Sequence, residues 1–148
     1  MSLENTLMAD LKEAMKSKNQ PSLRGIRAIK AAILLAKTDG SGKELDSAGE
    51  IKLLQKLVKQ RQESLDIYEK QGREDLASVE KEEIAVIQKY LPAQMSEDEI
   101  KAIVQEVMTK TGASGMKDMG KVMGAASAKL AGRADGKTLA AIVKELLA

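Results

Sequence analysis

The sequence contains no cysteine, histidine, tryptophan or phenylalanine, and only two tyrosines in 148 residues. Each absence removes a class of chemistry. Without cysteine there is no disulfide framework, no thiolate nucleophile and no cysteine-ligated zinc. Without histidine the commonest general base and the commonest transition-metal ligand are gone. Ser-His-Asp, Cys-His and histidine-based metal hydrolysis are therefore excluded. Aromatic residues at 1% leave no platform of rings for stacking unpaired bases. No stretch approaches the roughly 20 apolar residues of a membrane span. No cofactor and no metal is expected, and the balance points to a binding or accessory protein.

What is present is 43% hydrophobic and 31% charged residues, the composition of a globular chain. A chain of this length buries roughly two-thirds of its unfolded surface and needs no staple. The net charge of +2 says little about partners, but its distribution says more. Acids dominate from Glu63 to Glu106, and from Lys110 onward bases dominate. For any one charge a solvated helix face is the better reading; the asymmetry favours an anionic partner at the tail. Glu4 stands where a secretory leader would carry bases, and no apolar core follows it, so a cytoplasmic protein is expected.

The hydrophobic period is helical nearly throughout. Leu3, Leu7, Leu11 and Met15 make the stripe of a first helix starting near Ser2. Pro21 suits the first position of a second helix, which carries Leu23, Ile26, Ile29 and Ile33. Asp39-Gly40-Ser41-Gly42 reads as a loop. Gly40-Ser41-Gly42-Lys43 is part of a phosphate-loop pattern, but Glu44 follows where Ser or Thr is required, and no strand precedes. Ser47-x-x-Glu50 reads as a capping box opening a long third helix, with Gly72 at its end. A fourth helix runs to Leu91, where Pro92 stops it. Pro92-Ala93-Gln94-Met95 reads as a linker. Ser96-x-x-Glu99 is a second capping box opening helix five, which Gly112 ends. Helix six spans about Ser114 to Ala131, and Asp135 caps a last helix. The expected fold is all-α: an N-terminal helical domain over 1-92 with a long helical hairpin, and a small three-helix domain over 93-148.

Several residues invite chemistry. Glu82-Glu83 and Glu97-Asp98-Glu99 could suggest acid/base work. Neighbouring helical residues point apart, however, and acids in a first turn simply suit the macrodipole. Lys30, with Arg24 and Arg27, reads as a basic helix face rather than an activated lysine. The tail is more informative. Met116, Met119, Met123 and Leu130 fall on one face and read as a core stripe. Gly120-x-x-x-Gly124, with Ser127 and Ala131, makes a seam without bulk. Each interior glycine costs about 1 kcal/mol against alanine, which asks for a backbone approaching closely: first the last helix, otherwise a partner helix or a nucleic-acid strand. Lys117, Lys121, Lys129, Arg133, Lys137 and Lys144 are the cations of this region. Lys137 and Lys144 are nearly superposed on the last helix, away from its apolar face. Such cations grip phosphates without reading sequence.

Three motifs stand in order: Tyr90-Leu91-Pro92-Ala93-Gln94-Met95-Ser96, Asp118-Met119-Gly120-Lys121-Val122-Met123 and Gly132-Arg133-Ala134-Asp135-Gly136-Lys137. With them the chain resembles the YqeY family over essentially its whole length. The two tail motifs also resemble the C-terminal tail domain of GatB, a subunit of the tRNA-dependent amidotransferase. The resemblance implies a helical tail that binds tRNA, as a similar module does on some glutaminyl-tRNA synthetases, with the matching Lys121, Arg133 and Lys137 as candidates for tRNA contact. With the charge pattern, all six cations above are the expected RNA-binding residues. It also brings a carbon–nitrogen ligase label with glutamine as amido donor, for which no nucleophile–base pair is present. The expected function is therefore a non-catalytic tRNA-binding accessory protein. The alternative is an interaction module docking on an amidotransferase or aminoacyl-tRNA synthetase. Neither a membrane nor DNA is expected as a partner.

Overall fold

The computed structural model describes residues 2–40 and 45–148. Ser41, Gly42, Lys43 and Glu44, the centre of the loop set aside as a phosphate loop, lie outside the described residues. Seven helices account for the fold of the described residues: α1 (Leu3–Ser17), α2 (Gln20–Lys37), α3 (Ser47–Lys70), α4 (Glu74–Gln88), α5 (Glu97–Thr111), α6 (Met119–Leu130) and α7 (Gly136–Leu147). A 3-10 turn over Met116–Asp118 precedes α6, and there is no strand among the described residues. The all-α class expected from periodicity is the observed one. No helix among these residues is long and apolar enough to cross a membrane. The helices group into two compact units, one ending at Leu91 and one beginning at Pro92.

The helix ends follow local chemistry. Ser2 caps α1, its hydroxyl accepting from the Asn5 N–H at 3.2 Å. Asn19 caps α2, and Pro21 occupies its second position rather than the first. Asp46, not Ser47, caps α3: its carboxylate accepts from the Gly49 N–H at 2.7 Å. An ionised acceptor at a helix start is stronger than a hydroxyl and meets the positive end of the macrodipole. The Ser96–Glu99 box closes in both directions, at 3.2 and 3.1 Å. Gly72 and Gly112 follow α3 and α5 at φ +69°, as the left-handed termination requires.

Two boundaries differ from the sequence reading by more than one residue. Helix α4 stops at Gln88, not Leu91. In a continuing helix the Pro92 ring would collide with the carbonyl four residues back, which is that of Gln88, and the residue before proline avoids the helical region. Helix α6 starts at Met119, not near Ser114. Asp118 accepts from the Ser114 N–H at 3.1 Å and donates its own N–H to the Gly115 carbonyl at 2.9 Å, which tightens the approach into the 3-10 turn.

In the first unit, Leu7, Ile26, Ile29, Ile33, Leu54 and Ile87 form the heart of the core. Gly25 lets α2 and α4 close together: a Cβ there would sit 2.5 Å from Cγ1 of Val86. The α3–α4 hairpin carries a satellite cluster of Leu65, Ala77 and Ile84. Glu82 and Glu83 are taken up by ion pairs, the first with Arg24 at 2.5 Å, the second with Arg61 at 3.0 Å. Tyr90 donates to Asp10 at 2.6 Å; burial first, and then this bond, push its phenol above the ordinary range.

In the second unit α5, α6 and α7 pack on one another around Ile100, Val104, Val122, Leu130, Leu139 and Val143. The buried stripe of α6 is Val122, Ala126 and Leu130, with Met119 and Met123 only partly buried beside it. Met116, expected in that stripe, is 45% exposed. It lies in the 3-10 turn, where helical spacing does not hold. The segment Pro92–Met95, read as a linker, is strapped to the second unit. The Met95 N–H donates to the Arg133 carbonyl at 2.8 Å, and the Gln94 amide to the Gly132 carbonyl at 3.0 Å.

Candidate nucleic-acid interface

The tail cations lie on more than one side of the three-helix unit. Lys129 is drawn to α5, its ammonium 2.6 Å from Glu106, which also holds Lys110 at 2.9 Å. These hydrogen bonds, Lys129 first, hold the Glu106 carboxyl down at about 2. Lys121 turns the same way and donates to the Thr111 carbonyl at the end of α5, at 3.4 Å. Arg133 donates from Nε to the Ala93 carbonyl at 3.0 Å. Lys117, Lys137 and Lys144 are exposed and form no ion pair among the described residues. Their ammonium groups are available to an anion from outside.

Helix geometry places two of these together. At about 100° per residue, Lys137 and Lys144 differ by about 20° in direction on α7 and stand about 10.5 Å apart along it. Glu145, paired with Lys101 of α5 at 3.7 Å, marks the α5 flank of α7. Lys137 and Lys144 lie across the apolar stripe from it, on the α6 flank. On α6 the pair Lys129–Glu106 marks the α5 flank. Gly120, Gly124, Ser127 and Ala131 lie across the stripe from Lys129, on the α7 flank, and all four are exposed. The bulk-free seam of α6 and the two lysines of α7 therefore border the same outward groove.

That groove is open. A Cβ added at Gly120 or Gly124 meets nothing within 4 Å, so α7 does not supply the close approach expected of it. Asp135 accepts from the Thr138 N–H at 2.7 Å, which occupies a donor at the start of α7 and leaves the side-chain cations as the anion-binding groups. Among the described residues no three acidic side chains gather as a metal ion would require.

Periodicity misassigned the α6 core because methionines outweigh valine and alanine when apolar residues are weighted by size. The signal that could have corrected it was the spacing of Val122, Ala126 and Leu130, four residues apart.

A family model described as Yqey-like protein matches residues 4–147. The chain belongs to the YqeY-like family. Curated relatives of this YqeY-like chain carry the name Altered inheritance of mitochondria protein 41, mitochondrial. The protein of that name from Pyrenophora tritici-repentis is 37% identical over 131 residues, covering 86% of this chain and 71% of its own length. The one from Meyerozyma guilliermondii is 35% identical, covering 81% of this chain and 66% of the relative. The one from Eremothecium gossypii is 39% identical over 87 residues, where the match spans only 48% of the relative.

These names overturn the cytoplasmic expectation, since the relatives are designated mitochondrial. That expectation rested on the acid at Glu4, the lack of an apolar core after it and the lack of a membrane-length apolar stretch, none of which bears on a mitochondrial address.

Proposed function

We propose that this YqeY-like chain is a non-catalytic accessory protein that grips structured RNA of the transfer-RNA kind along the α6–α7 groove. One observation carries the reading: two glycines of α6, Gly120 in its first turn and Gly124 in its interior, face an open groove bordered by lysines without ion pairs. The interior glycine, Gly124, costs about 1 kcal/mol of helix stability, and nothing within the unit meets either glycine. A phosphate backbone lying in the groove would use both the lack of bulk and the charge. With no aromatic residue in the second unit, recognition would rest on shape and phosphate contacts. The resemblance of the tail motifs to the tRNA-binding tail of GatB supports the same assignment. Within the set of tail cations, Lys137 and Lys144 are the primary contacts, and Lys121 and Lys129 are drawn toward α5, away from this groove. A carbon–nitrogen ligase role, with glutamine as amido donor, would belong to an associated amidotransferase.

The test is titration of unmodified tRNA by fluorescence anisotropy at several salt concentrations. The variant K137E/K144E is expected to bind more weakly and to lower the slope of log affinity against log salt by about 2, one for each phosphate that is no longer neutralised. K129A, whose ammonium is already held by Glu106, is expected to bind nearly as the parent does. Unaltered affinity and slope in K137E/K144E would overturn the assignment. The glycine seam equally suits a helix of an amidotransferase or synthetase. Retention of such a protein after nuclease treatment, blocked by G120L/G124L, would favour that second reading.

A further inference from the structure

We propose that the outer seam between α1 and α2, in the first unit, is a docking groove for an acidic amphipathic helix of a partner protein. Three large apolar side chains are left in solvent there: Met8 is 52% exposed, Met15 57% and Leu34 63%. The ion pair between Glu4 and Lys37 ties the start of α1 to the end of α2. In antiparallel helices it puts Met8, one turn further along α1, level with Leu34, about one turn back along α2. Met15 lies about 10.5 Å beyond Met8 and within about 20° of its direction.

The flanks of each helix are marked by its partners. On α1, Asp10 is bonded to Tyr90 on one side of the buried Leu7 and Ala14, and Glu4 reaches α2 on the other. Met8 and Met15 lie within about 40° of Glu4, on the α2 side. On α2, Leu34 and Lys30 lie within about 60° and 20° of Lys37, on the α1 side. The three apolar residues therefore line one groove. Its rims are basic: Lys12, Lys16, Arg27 and Lys30 are exposed and form no ion pair among the described residues. The acids of α1 beyond its first turn, Asp10 and Glu13, fall on the opposite flank.

Charge and shape select the occupant. A helix with aliphatic residues at i, i+3 or i+4, and i+7 spans the Met8–Met15 distance, and methionine adapts to whatever shape that stripe presents. Acidic residues flanking the stripe would meet the four cations. RNA is disfavoured because the apolar floor offers phosphates nothing and has no ring for a base. A lipid surface is disfavoured because the groove has no aromatic anchor. A second copy placed symmetrically would set basic rim against basic rim.

The experiment introduces a benzophenone side chain at the exposed Ala31, beside this groove, in the full-length protein in its own cells. The crosslinked peptide is then identified by mass spectrometry. The expected product is one protein segment of net negative charge with helical apolar spacing. Its yield is expected to fall about tenfold or more, the ratio for ~1.4 kcal/mol, in M8E/M15E and separately in R27E/K30E. M116E, in the second unit, should leave it unchanged. Crosslinks to nucleic acid, lipid, another copy of this chain or a basic segment would overturn the proposal, as would no crosslink at all. Because the groove lies in the first unit, failure here leaves the tRNA titration of K137E/K144E as it was.

Discussion

Arg133 holds the start of the second unit at both its ends: its Nε donates to the Ala93 carbonyl at 3.0 Å, while its own carbonyl accepts from the Met95 N–H at 2.8 Å. The backbone bond survives any substitution, but the side-chain bond does not. Arg133→Ala is expected to lower stability by about 1 kcal/mol, the net worth of one such hydrogen bond, in urea unfolding of the whole chain. An unchanged midpoint would mean that the guanidinium contributes nothing there. Any weakening of RNA binding in this variant has to be read after that drop in stability.

Gly120 and Gly124 make the opposite prediction. Gly120 lies in the first turn of α6 and Gly124 in its interior, both with open space where a Cβ would go. Gly124→Ala is expected to raise stability by roughly 0.5–1 kcal/mol, because the unfolded chain becomes less free and the helix gains a better former; Gly120→Ala, in the first turn, is expected to add less. Thermal unfolding of G120A/G124A should show a higher Tm. A lower one would reveal a neighbour that the groove is not expected to contain.

Gly25 is a glycine of another kind. An alanine Cβ would stand 2.5 Å from Cγ1 and 2.7 Å from Cβ of Val86, and neither atom is the far end of a flexible chain. Gly25→Ala is expected to cost about 1–3 kcal/mol, in the range of overpacked cores. Removing the Val86 side chain should relieve the clash. The double variant G25A/V86G is therefore expected to be more stable than the sum of the two single effects, as measured by a double-mutant cycle.

Glu106 gives the tail a dependence on acid. Its folded value lies near 2, below the ordinary 4.5, because Lys129 and then Lys110 hydrogen-bond its carboxylate. A folded value below the unfolded one favours folding above pH 4.5, and that contribution fades as pH falls from 4.5 toward 2. Tm measured against pH should therefore fall more steeply across that window in the parent than in E106Q. Parallel curves would show that the pair with Lys129 adds nothing to folding.

The second unit shows how far its sequence could be read. The Ser96–Glu99 box, the Gly112 terminus and the Asp135 cap were all legible, because each is decided by groups within three or four residues of one another. The end of α4 was displaced by three residues because the clash with Pro92 acts four positions back. On α3 the acceptor was mistaken by one residue, since Asp46 and Ser47 both suit a cap and ionisation decides between them.

The candidate groove was legible only as a set of cations and small residues. Lys129 and Lys137 look alike along the chain, yet one is held by Glu106, 23 residues away, and the other is without an ion pair among the described residues. Gly25 and Gly124 are likewise the same residue in the interior of a helix, one pressed on Val86 and the other facing open space. The sequence by itself determined the helical class, the caps and the apolar stripes of most helices, because hydrogen bonds and periodicity there are local. Only the tertiary structure decided which charges are neutralised and which glycines are crowded. Coulombic pairing and steric contact act between side chains that meet through space, however far apart they lie in the chain.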